Sequence, residues 1–286
     1  MRTAIMTDTN SGISPEEGRT LGIHVIPMPV IIDDKDYLEH IDITHEDLYR
    51  AILDGRDVRT SQPAPDTLIN AWKALLADGY DAVVHIPMSS GLSNSCETAQ
   101  AFAQSFDGKV LVADSHRISV TLRDSVLEAK ALADEGQTAE EICDHLNRTG
   151  LDSSIYIAVN TLDLLKKSGR VTPAAAAVAS VFHIKPILTI QGGKLDAFAK
   201  VRGIHQCQTR ICDAVRSDIE NRFSDVDPSR LWIGAAGTFR DPADADARLS
   251  VVRTAFPDAN TYYNPLSCSI ACHVSVDAIG IGICSR

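Results

Sequence analysis

The chain has 286 residues, of which 44% are hydrophobic, so it is long enough to bury one large core or two smaller ones. Its 27 basic and 38 acidic side chains give a formal charge of −11, which disfavours binding to the phosphate backbone of nucleic acids. The first residues turn acidic too early for a signal peptide, and no apolar run reaches the ~18 residues of a membrane span. We therefore expect a cytoplasmic protein whose seven cysteines are reduced thiols.

The first half of the sequence alternates strand patterns with helix patterns. Thr44 is a candidate N-cap with Asp47 three residues later, and Gly79 ends the helical pattern that contains Trp72. This alternation is typical of a mostly parallel sheet covered on both faces. Strands are predicted at residues 2–6, 24–32, 82–86 and 110–113, and helices after Thr44, around Trp72, and at 93–106, 118–133 and 139–146.

The second half has a different order of elements and predicts a mixed sheet. Gln191-Gly192-Gly193 lies between two extended runs, as expected for the turn of a hairpin. The boundary near residues 149–154 predicts an N-terminal α/β domain over 1–152 and a C-terminal α/β domain over 153–286. Strands are predicted at 154–159, 186–190, 194–200, 231–235, 261–263 and 279–284, and helices at 162–167, 174–182, 206–223 and 241–256.

Polar segments follow the predicted strands of the first half, where α/β proteins bind ligands. The segment at residues 89–95 carries four serines, Gly91 and Asn94 at a junction between a strand and a helix. Either it only caps the helix, or its hydroxyl and backbone N–H groups bind an anion. The segment Thr60-Ser61-Gln62-Pro63 allows the same two interpretations, and as a plain turn it would place Pro63 near the first helical position.

Two arginines and one histidine are further candidates. Arg170 and Arg202 have the side chain that pairs best with a carboxylate or phosphate, although a solvated salt bridge explains them equally well. His273 precedes a terminal apolar strand, where a lone histidine is more often structural than catalytic. Cys268 and Cys272 lie beside it, but the sequence shows no second paired ligand cluster, so no metal site is predicted. Nucleotide-binding, metalloprotease and nucleophile-elbow motifs do not occur.

Seven short segments, each weak alone, occur together in the order found in the DegV family of bacterial fatty-acid-binding proteins. The chain therefore resembles that family over almost its whole length. The segments are Val58-Arg59-Thr60-Ser61-Gln62-Pro63, Ser89-Ser90-Gly91-Leu92-Ser93, Ala113-Asp114-Ser115, Leu165-Lys166-Lys167-Ser168-Gly169-Arg170, Lys185-Pro186-Ile187-Leu188, Gly193-Lys194-Leu195 and Lys200-Val201-Arg202-Gly203.

The resemblance implies two α/β domains with a ligand tunnel between them. It implies that Thr60 and Ser93 hold the carboxylate of a palmitate-like fatty acid, with His273 nearby. It also implies that a separate fatty-acid kinase receives the ligand, that membrane contact is only transient, and that the chain is not an enzyme and needs no cofactor. Arg170 and Arg202 look like residues of the head-group site or of a partner surface. The full predicted ligand-binding set is Thr60, Ser61, Gly91, Ser93, Asn94, Arg170, Arg202 and His273.

One departure from the family pattern bears on the ligand. The chain carries Ser275-Val276-Asp277 where the family usually has a Gly-Pro-Gly turn, and Asp277 would repel an anionic head group if it pointed inward. Two rival functions stay open at this point. The first is a hydrolase or phosphotransfer component that uses Ser93 or His273, and the second is a sensor of another carboxylate metabolite.

Overall fold

A computed structural model of the chain describes residues 2–177 and 184–286. The first half contains a four-stranded parallel sheet in the order β2-β1-β6-β7 and a small antiparallel sheet in the order β4-β3-β5. Its strands are β1 (Thr3–Asp8), β2 (Ile23–Ile26), β3 (Pro29–Ile32), β4 (Lys35–Leu38), β5 (Val58–Thr60), β6 (Ala82–Ile86) and β7 (Val110–Val112). Its helices are α1 (Pro15–Leu21), α2 (His45–Leu53), α3 (Pro65–Ala77), α4 (Ser95–Ala103), α5 (Ser119–Asp134) and α6 (Ala139–Thr149), with short 3-10 helices at Thr9–Ser11 and Gln104–Phe106.

The second half is organised around a six-stranded mixed sheet in the order β10-β9-β8-β13-β11-β12. Only the β11–β12 pair is parallel, and the other neighbours are antiparallel. The strands are β8 (Ser153–Ala158), β9 (Ile184–Ile190), β10 (Asp196–Arg202), β11 (Leu231–Gly237), β12 (Asn260–Pro265) and β13 (Ile279–Ser285). The helices are α7 (Asp163–Ser168), α8 (Pro173–Ala176), α9 (Gly203–Asn221), α10 (Pro242–Ala255) and α11 (Cys268–Val274), with a 3-10 helix at Pro228–Arg230.

The parallel sheet is buried on both faces, as its continuous apolar strands require. All six residues of β1 are buried, and its apolar residues Ala4, Ile5 and Met6 alternate between two clusters. Met6 packs with Trp72 of α3 on one face, whereas Ile5 belongs to the cluster that includes α5 and α6 on the other. The same period of two divides the mixed sheet, where Ile157 of β8 faces that second cluster and Tyr156 faces α9. One apolar layer therefore joins the two large sheets.

Local capping signals place several helices where the sequence predicted them. Thr44 accepts a hydrogen bond from the backbone N–H of Asp47, whose side chain accepts in return from the backbone of Thr44, so α2 begins with a capping box. Gly79 follows the end of α3 with a φ of 86°, a conformation that favours glycine. The predicted mostly parallel first sheet and mixed second sheet are both confirmed.

Other predictions were wrong or incomplete. The single extended run predicted at 24–32 is two strands, β2 and β3, which belong to different sheets. The predicted turn at 60–63 was wrong in part, because Thr60 ends β5 and the following helix begins at Pro65. No pattern in the sequence indicated β4 or α11. The helix predicted at 174–182 is observed as α8, and residues 178–183 lie outside the described part.

Three further points concern membrane-spanning helices, the cysteines and the domain boundary. Across residues 2–177 and 184–286, no helix combines the length and the apolar character needed to cross a bilayer. All seven cysteines are buried and carry free thiols. The proposed domain boundary near residue 152 falls just before β8 and stays a prediction.

Candidate functional site

A cavity lies between the parallel-sheet half and one face of the mixed sheet. It encloses about 900 Å³ of space free of protein atoms, its opening included. Its walls come from the start of α5, from β8, β9 and β13, and from α11. The apolar lining consists of Met28, Met88, Leu92, Ile118, Val120, Ile155, Ile157, Leu165, Ile190, Leu195, Ala236, Leu266, Ile270, Val274 and Ile281.

Polar side chains line the end of the cavity that reaches solvent. Ser61 and Gln62 are exposed and also line the cavity, so the opening lies beside the segment that follows β5. Thr60, Ser93 and His273 line the same cavity. The cavity therefore combines a polar opening with a long apolar interior.

Thr60 and His273 are hydrogen-bonded although 213 positions separate them in sequence. Thr60 Oγ1 lies 3.0 Å from His273 Nε2. The small antiparallel sheet presents Thr60 at the end of β5, and the last turn of α11 presents His273. These elements meet because Cys268, Ala271 and Cys272 of α11 belong to the same apolar cluster as the small sheet.

Burial keeps the His273 imidazole neutral at pH 7. It lowers the pKa of this histidine to about 4, and the nearby positive charge of Arg170 lowers it further. His273 Nδ1 is buried and has no hydrogen-bond partner among the described residues. If Nε2 carries the proton and donates to Thr60, the Thr60 hydroxyl is free to donate into the cavity. The pair then acts as a positioned neutral donor and not as an acid or base at pH 7.

Arg170 supplies the positive charge at this end of the cavity. It follows α7, which ends at Ser168 and is capped by Gly169 with a φ of 70°. Its Nε donates to the carbonyl oxygen of Leu92 at 3.3 Å, and its Nη1 donates to that of Ser168. These bonds fix the guanidinium beside the loop that carries Ser93, whose hydroxyl accepts from the Ser95 backbone at 3.2 Å. A positive charge and several hydroxyls therefore line the same cavity, and a carboxylate is a ligand that such donors can bind.

Glycines shape the wall that β13 contributes. Gly280 and Gly282 line the cavity, where any other residue would place a side chain. A Cβ on Gly282 would lie 2.5 Å from Val120 Cγ2, so Val120 fills the space above that glycine. A Cβ on Gly280 would come no closer than 3.3 Å to any atom outside its neighbours, the nearest being the Tyr156 oxygen. A side chain at Gly280 would therefore make a tight contact with the Tyr156 backbone, although a less severe one than the overlap at Gly282.

Comparisons with known proteins agree with this architecture. The family model of the DegV proteins, described as uncharacterised proteins, matches residues 2–286. The chain belongs to the DegV family. A DegV domain-containing protein of Deinococcus radiodurans is 28% identical, with 99% of this chain and 98% of the relative covered.

Solved DegV structures share the fold over the full chain. One is described as a fatty-acid-binding DegV family protein from Thermus thermophilus, with 27% identity, a TM-score of 0.89 and complete coverage of both chains. Another is described as DegV, a fatty acid binding protein from Bacillus subtilis, with 24% identity, a TM-score of 0.85 and complete coverage of both chains. The second likeness shows the fold alone.

The predicted site residues of this DegV chain divide into two groups. Thr60, Ser61, Ser93, Arg170 and His273 line the cavity, whereas Gly91, Asn94 and Arg202 do not. Gly91 instead packs against the backbone of the hairpin turn, where a Cβ would lie 2.8 Å from the Gly192 oxygen. Asn94 and Arg202 are exposed, and Arg202 ends the edge strand β10.

The loop after α11 departs from the DegV pattern at Ser275-Val276-Asp277, and these residues do not line the cavity. The side chain of Asp277 pairs with Arg240, whose Nη2 donates to Oδ2 at 2.9 Å. Ser275 and Asp277 have positive φ values of 67° and 59°, so the backbone keeps a conformation suited to glycine without glycine. The expected repulsion of an anionic head group is therefore absent, because Asp277 points to Arg240 and does not line the cavity.

Sequence reasoning missed several polar residues of the lining, namely Asn10, Gln62, Ser119 and Ser269. Asn10 lies in the polar segment after β1, which is one of the strand ends where α/β proteins bind ligands. Ser119 starts α5 with a φ of 56°, and no local pattern indicates that it meets the mixed sheet. Ser269 belongs to α11, the helix that the sequence did not predict.

Proposed function

We propose that the protein binds a long-chain fatty acid in this cavity and presents its carboxyl group to a separate fatty-acid kinase. The single observation that carries the proposal is an apolar cavity of about 900 Å³ with hydroxyls, a neutral histidine and an arginine at its open end. Membership of the DegV family and the fatty-acid binding described for the Thermus thermophilus protein support the same ligand class.

The carboxylate would bind between Thr60, Ser93 and Arg170. A carboxylate that leaves water needs its charge met by several donors. Thr60 and Ser93 offer hydroxyl donors, and Arg170 offers the opposite charge within a partly buried surrounding. His273 would act through Thr60, because its Nε2 proton directs the Thr60 hydroxyl toward the ligand.

The acyl tail would extend along the apolar lining. Each methylene group removed from water contributes about 0.8 kcal/mol, so a long chain supplies most of the affinity. The head group contributes orientation. Its position beside the exposed Ser61 and Gln62 leaves the carboxyl end where a partner protein can reach it.

Binding without chemistry fits the geometry better than hydrolysis. A serine or threonine nucleophile needs a histidine that accepts its proton, usually oriented by an acidic group on the other ring nitrogen. His273 Nδ1 has no partner among the described residues, and burial lowers the pKa of His273 to about 4. We therefore propose that an acyl phosphate forms only when a separate kinase and ATP are supplied.

The test is mass spectrometry of the purified protein under native and denaturing conditions. We expect one fatty acid per chain, released on denaturation. Replacing Thr60 by Val or Ser93 by Ala should weaken binding by about 1.5–3 kcal/mol, as for hydrogen bonds to charged groups. Thr254→Val is the matched control, because Thr254 is exposed on α10 and bonds only its own helix at Ser250.

Four results would contradict the proposal. Small acids that stabilise the protein where C14–C18 acids do not would indicate a metabolite sensor. A covalent adduct of Ser93 with a fluorophosphonate would indicate a hydrolase. Unchanged retention of the ligand in both Thr60→Val and Ser93→Ala would remove the head-group assignment. Acyl phosphate formed from ATP by this chain alone would overturn the role of a separate kinase.

A further inference from the structure

A second cluster of polar side chains lies behind the head-group end and takes no part in the proposed function. It joins Glu39, His45 and Cys268, which come from the loop after β4, the start of α2 and the start of α11. One donor atom from each lies within 4.8 Å of the other two. Glu39 and Cys268 are buried, and His45 is partly buried.

The distances suit a small cation with tetrahedral coordination. His45 Nε2 lies 3.9 Å from Glu39 Oε1, and His40 Nε2 lies 3.8 Å from the same oxygen. Ligand atoms around a tetrahedral zinc ion are separated by roughly 3.2–3.8 Å, given metal–ligand bonds of about 2.0–2.3 Å. The separations of up to 4.8 Å exceed this range, so the side chains would move inward by up to about 1 Å to surround one ion.

Glu39 is also held in the way that a ligating carboxylate usually is. Thr9 Oγ1 donates to its Oε2 at 2.7 Å, and the backbone N–H of Cys268 donates to its Oε1 at 2.6 Å. Such outer hydrogen bonds orient a carboxylate toward a metal. Among the described residues, Glu39 forms no ion pair with lysine or arginine. A divalent cation would supply the missing positive charge.

We propose that Glu39, His45 and Cys268 form a structural zinc site, with His40 or a water molecule as the fourth ligand. A donor set of one carboxylate, imidazole nitrogens and one thiolate matches the preference of Zn²⁺. Binding requires the Cys268 thiol to lose its proton. It also requires His45 Nε2, which lies 3.0 Å from the Leu266 oxygen, to exchange that hydrogen bond for the metal as its proton moves to Nδ1.

The site would fasten α11 to the first half of the molecule. Its three ligands lie on three segments that meet only in the folded chain, and α11 also carries His273 five residues after Cys268. An ion bound here stabilises the native state by mass action, because the unfolded chain has no such arrangement. The melting temperature of the metal-free protein should therefore rise when Zn²⁺ is added.

The experiment uses the full-length untagged protein after treatment with a chelator. Isothermal titration with Zn²⁺ should give one ion per chain, and Co²⁺ should give a thiolate-to-metal charge-transfer band in the near ultraviolet. Cys268→Ser should abolish that band, and His45→Gln should weaken Zn²⁺ binding by about tenfold or more. Cys143→Ser and His24→Gln are the matched controls, since both residues lie outside the cluster, and they should change neither readout.

The outcomes separate clearly. Absence of stoichiometric Zn²⁺ binding at micromolar concentrations overturns the proposal, and so does an unchanged Co²⁺ spectrum in Cys268→Ser. If Cys268→Ser fails to fold, the partly exposed His45→Gln variant decides through its Zn²⁺ affinity, and wild-type affinity there also overturns the site. None of these readouts depends on fatty-acid binding, so the proposed function stands or falls separately.

Discussion

At the scale of single residues, the head-group end depends on a charge and a neutral hydrogen-bonded pair. Arg170 is fixed by bonds to backbone oxygens, and Thr60 is fixed by His273. Neither arrangement needs the ligand to be in place. Side chains that are already oriented lose little entropy on binding, and this would favour the carboxylate ligand proposed above.

Arg170→Gln should weaken binding of a fluorescent fatty acid by roughly 10- to 150-fold. The loss corresponds to about 1.5–3 kcal/mol for a hydrogen bond to a charged group. Arg202→Gln provides the matched control, because Arg202 is exposed at the end of β10 and does not line the cavity. Equal affinities for the two variants in a displacement titration would disprove the role of Arg170.

A second residue-scale prediction concerns His85, which is buried in β6 beside Trp72. Burial lowers its pKa to about 3, whereas an unfolded chain has a histidine pKa near 6.5. Between these values the unfolded state binds one more proton, so this residue's contribution to stability is present above pH 6.5 and is lost as the pH falls. The slope is about 1.4 kcal/mol per pH unit.

Urea unfolding at several pH values tests this prediction. His85→Phe should flatten the dependence of the unfolding free energy on pH between about pH 6.5 and 4. The exposed His205, replaced in the same way, should leave the dependence as it is in the wild type. An identical pH dependence for His85→Phe and the wild type would show that the pKa of His85 does not differ between the folded and unfolded states.

At the scale of elements, β13 and α11 determine the size and the polar end of the cavity. β13 is central in the mixed sheet, and its glycines leave space where its neighbours carry side chains. α11 is short and rich in Ser, Ala and Cys, so it packs closely on the small sheet and brings His273 to Thr60. Changes in these two elements should therefore alter the ligand more than changes in the outer helices.

Gly280→Val should shift the bound ligand toward shorter acyl chains. Valine is well suited to a strand, and its side chain would add bulk to the cavity wall that Gly280 lines. Denaturing mass spectrometry gives the chain-length distribution directly. Ala197→Val on the exposed edge strand β10 is the control, and the prediction is wrong if both variants carry the wild-type distribution.

The sequence predicted the regular elements better than the small or irregular ones. The strand predicted at 82–86 has those bounds in the structure, because five consecutive buried residues produce an unambiguous apolar run. β4 was missed because its residues, Lys35-Asp36-Tyr37-Leu38, show no apolar alternation and are mostly exposed. α11 was missed because all but one of its residues are buried, so its pattern has no polar face.

The site was predicted in part, for a different reason. Thr60 and His273 were chosen through the resemblance to the DegV family, since no local pattern relates residues 213 positions apart. The Glu39, His45 and Cys268 cluster was not foreseen, because its members share neither a motif nor a regular spacing. Contacts of this kind arise from the packing of α11 against the small sheet and are absent from any short window of sequence.

At the scale of the whole molecule, the two halves share the surfaces that form the cavity. The first half provides α5 and the loop with Ser93, and the second half provides the mixed sheet and α11. α11 also covers the apolar side of the small sheet, which belongs to the first half. An element that links the two halves, α11, is therefore also part of the cavity wall that would hold the ligand.

A fragment of residues 1–152 should not form a stable ligand-binding unit. Without α11, the apolar residues Val30, Ile32 and Tyr49 of the small sheet and α2 lose their cover. We expect strong binding of an apolar fluorescent dye and no cooperative thermal transition, with the full chain as control. A cooperative transition of the fragment with wild-type midpoint would show that the second half is dispensable for folding the first.

The depth at which the seven thiols lie has a practical consequence. None of these seven thiols is exposed to a second molecule in the native state, so storage in air should not link copies together. A denatured chain exposes all of them at once, so refolding without a reductant would allow random disulfides to form.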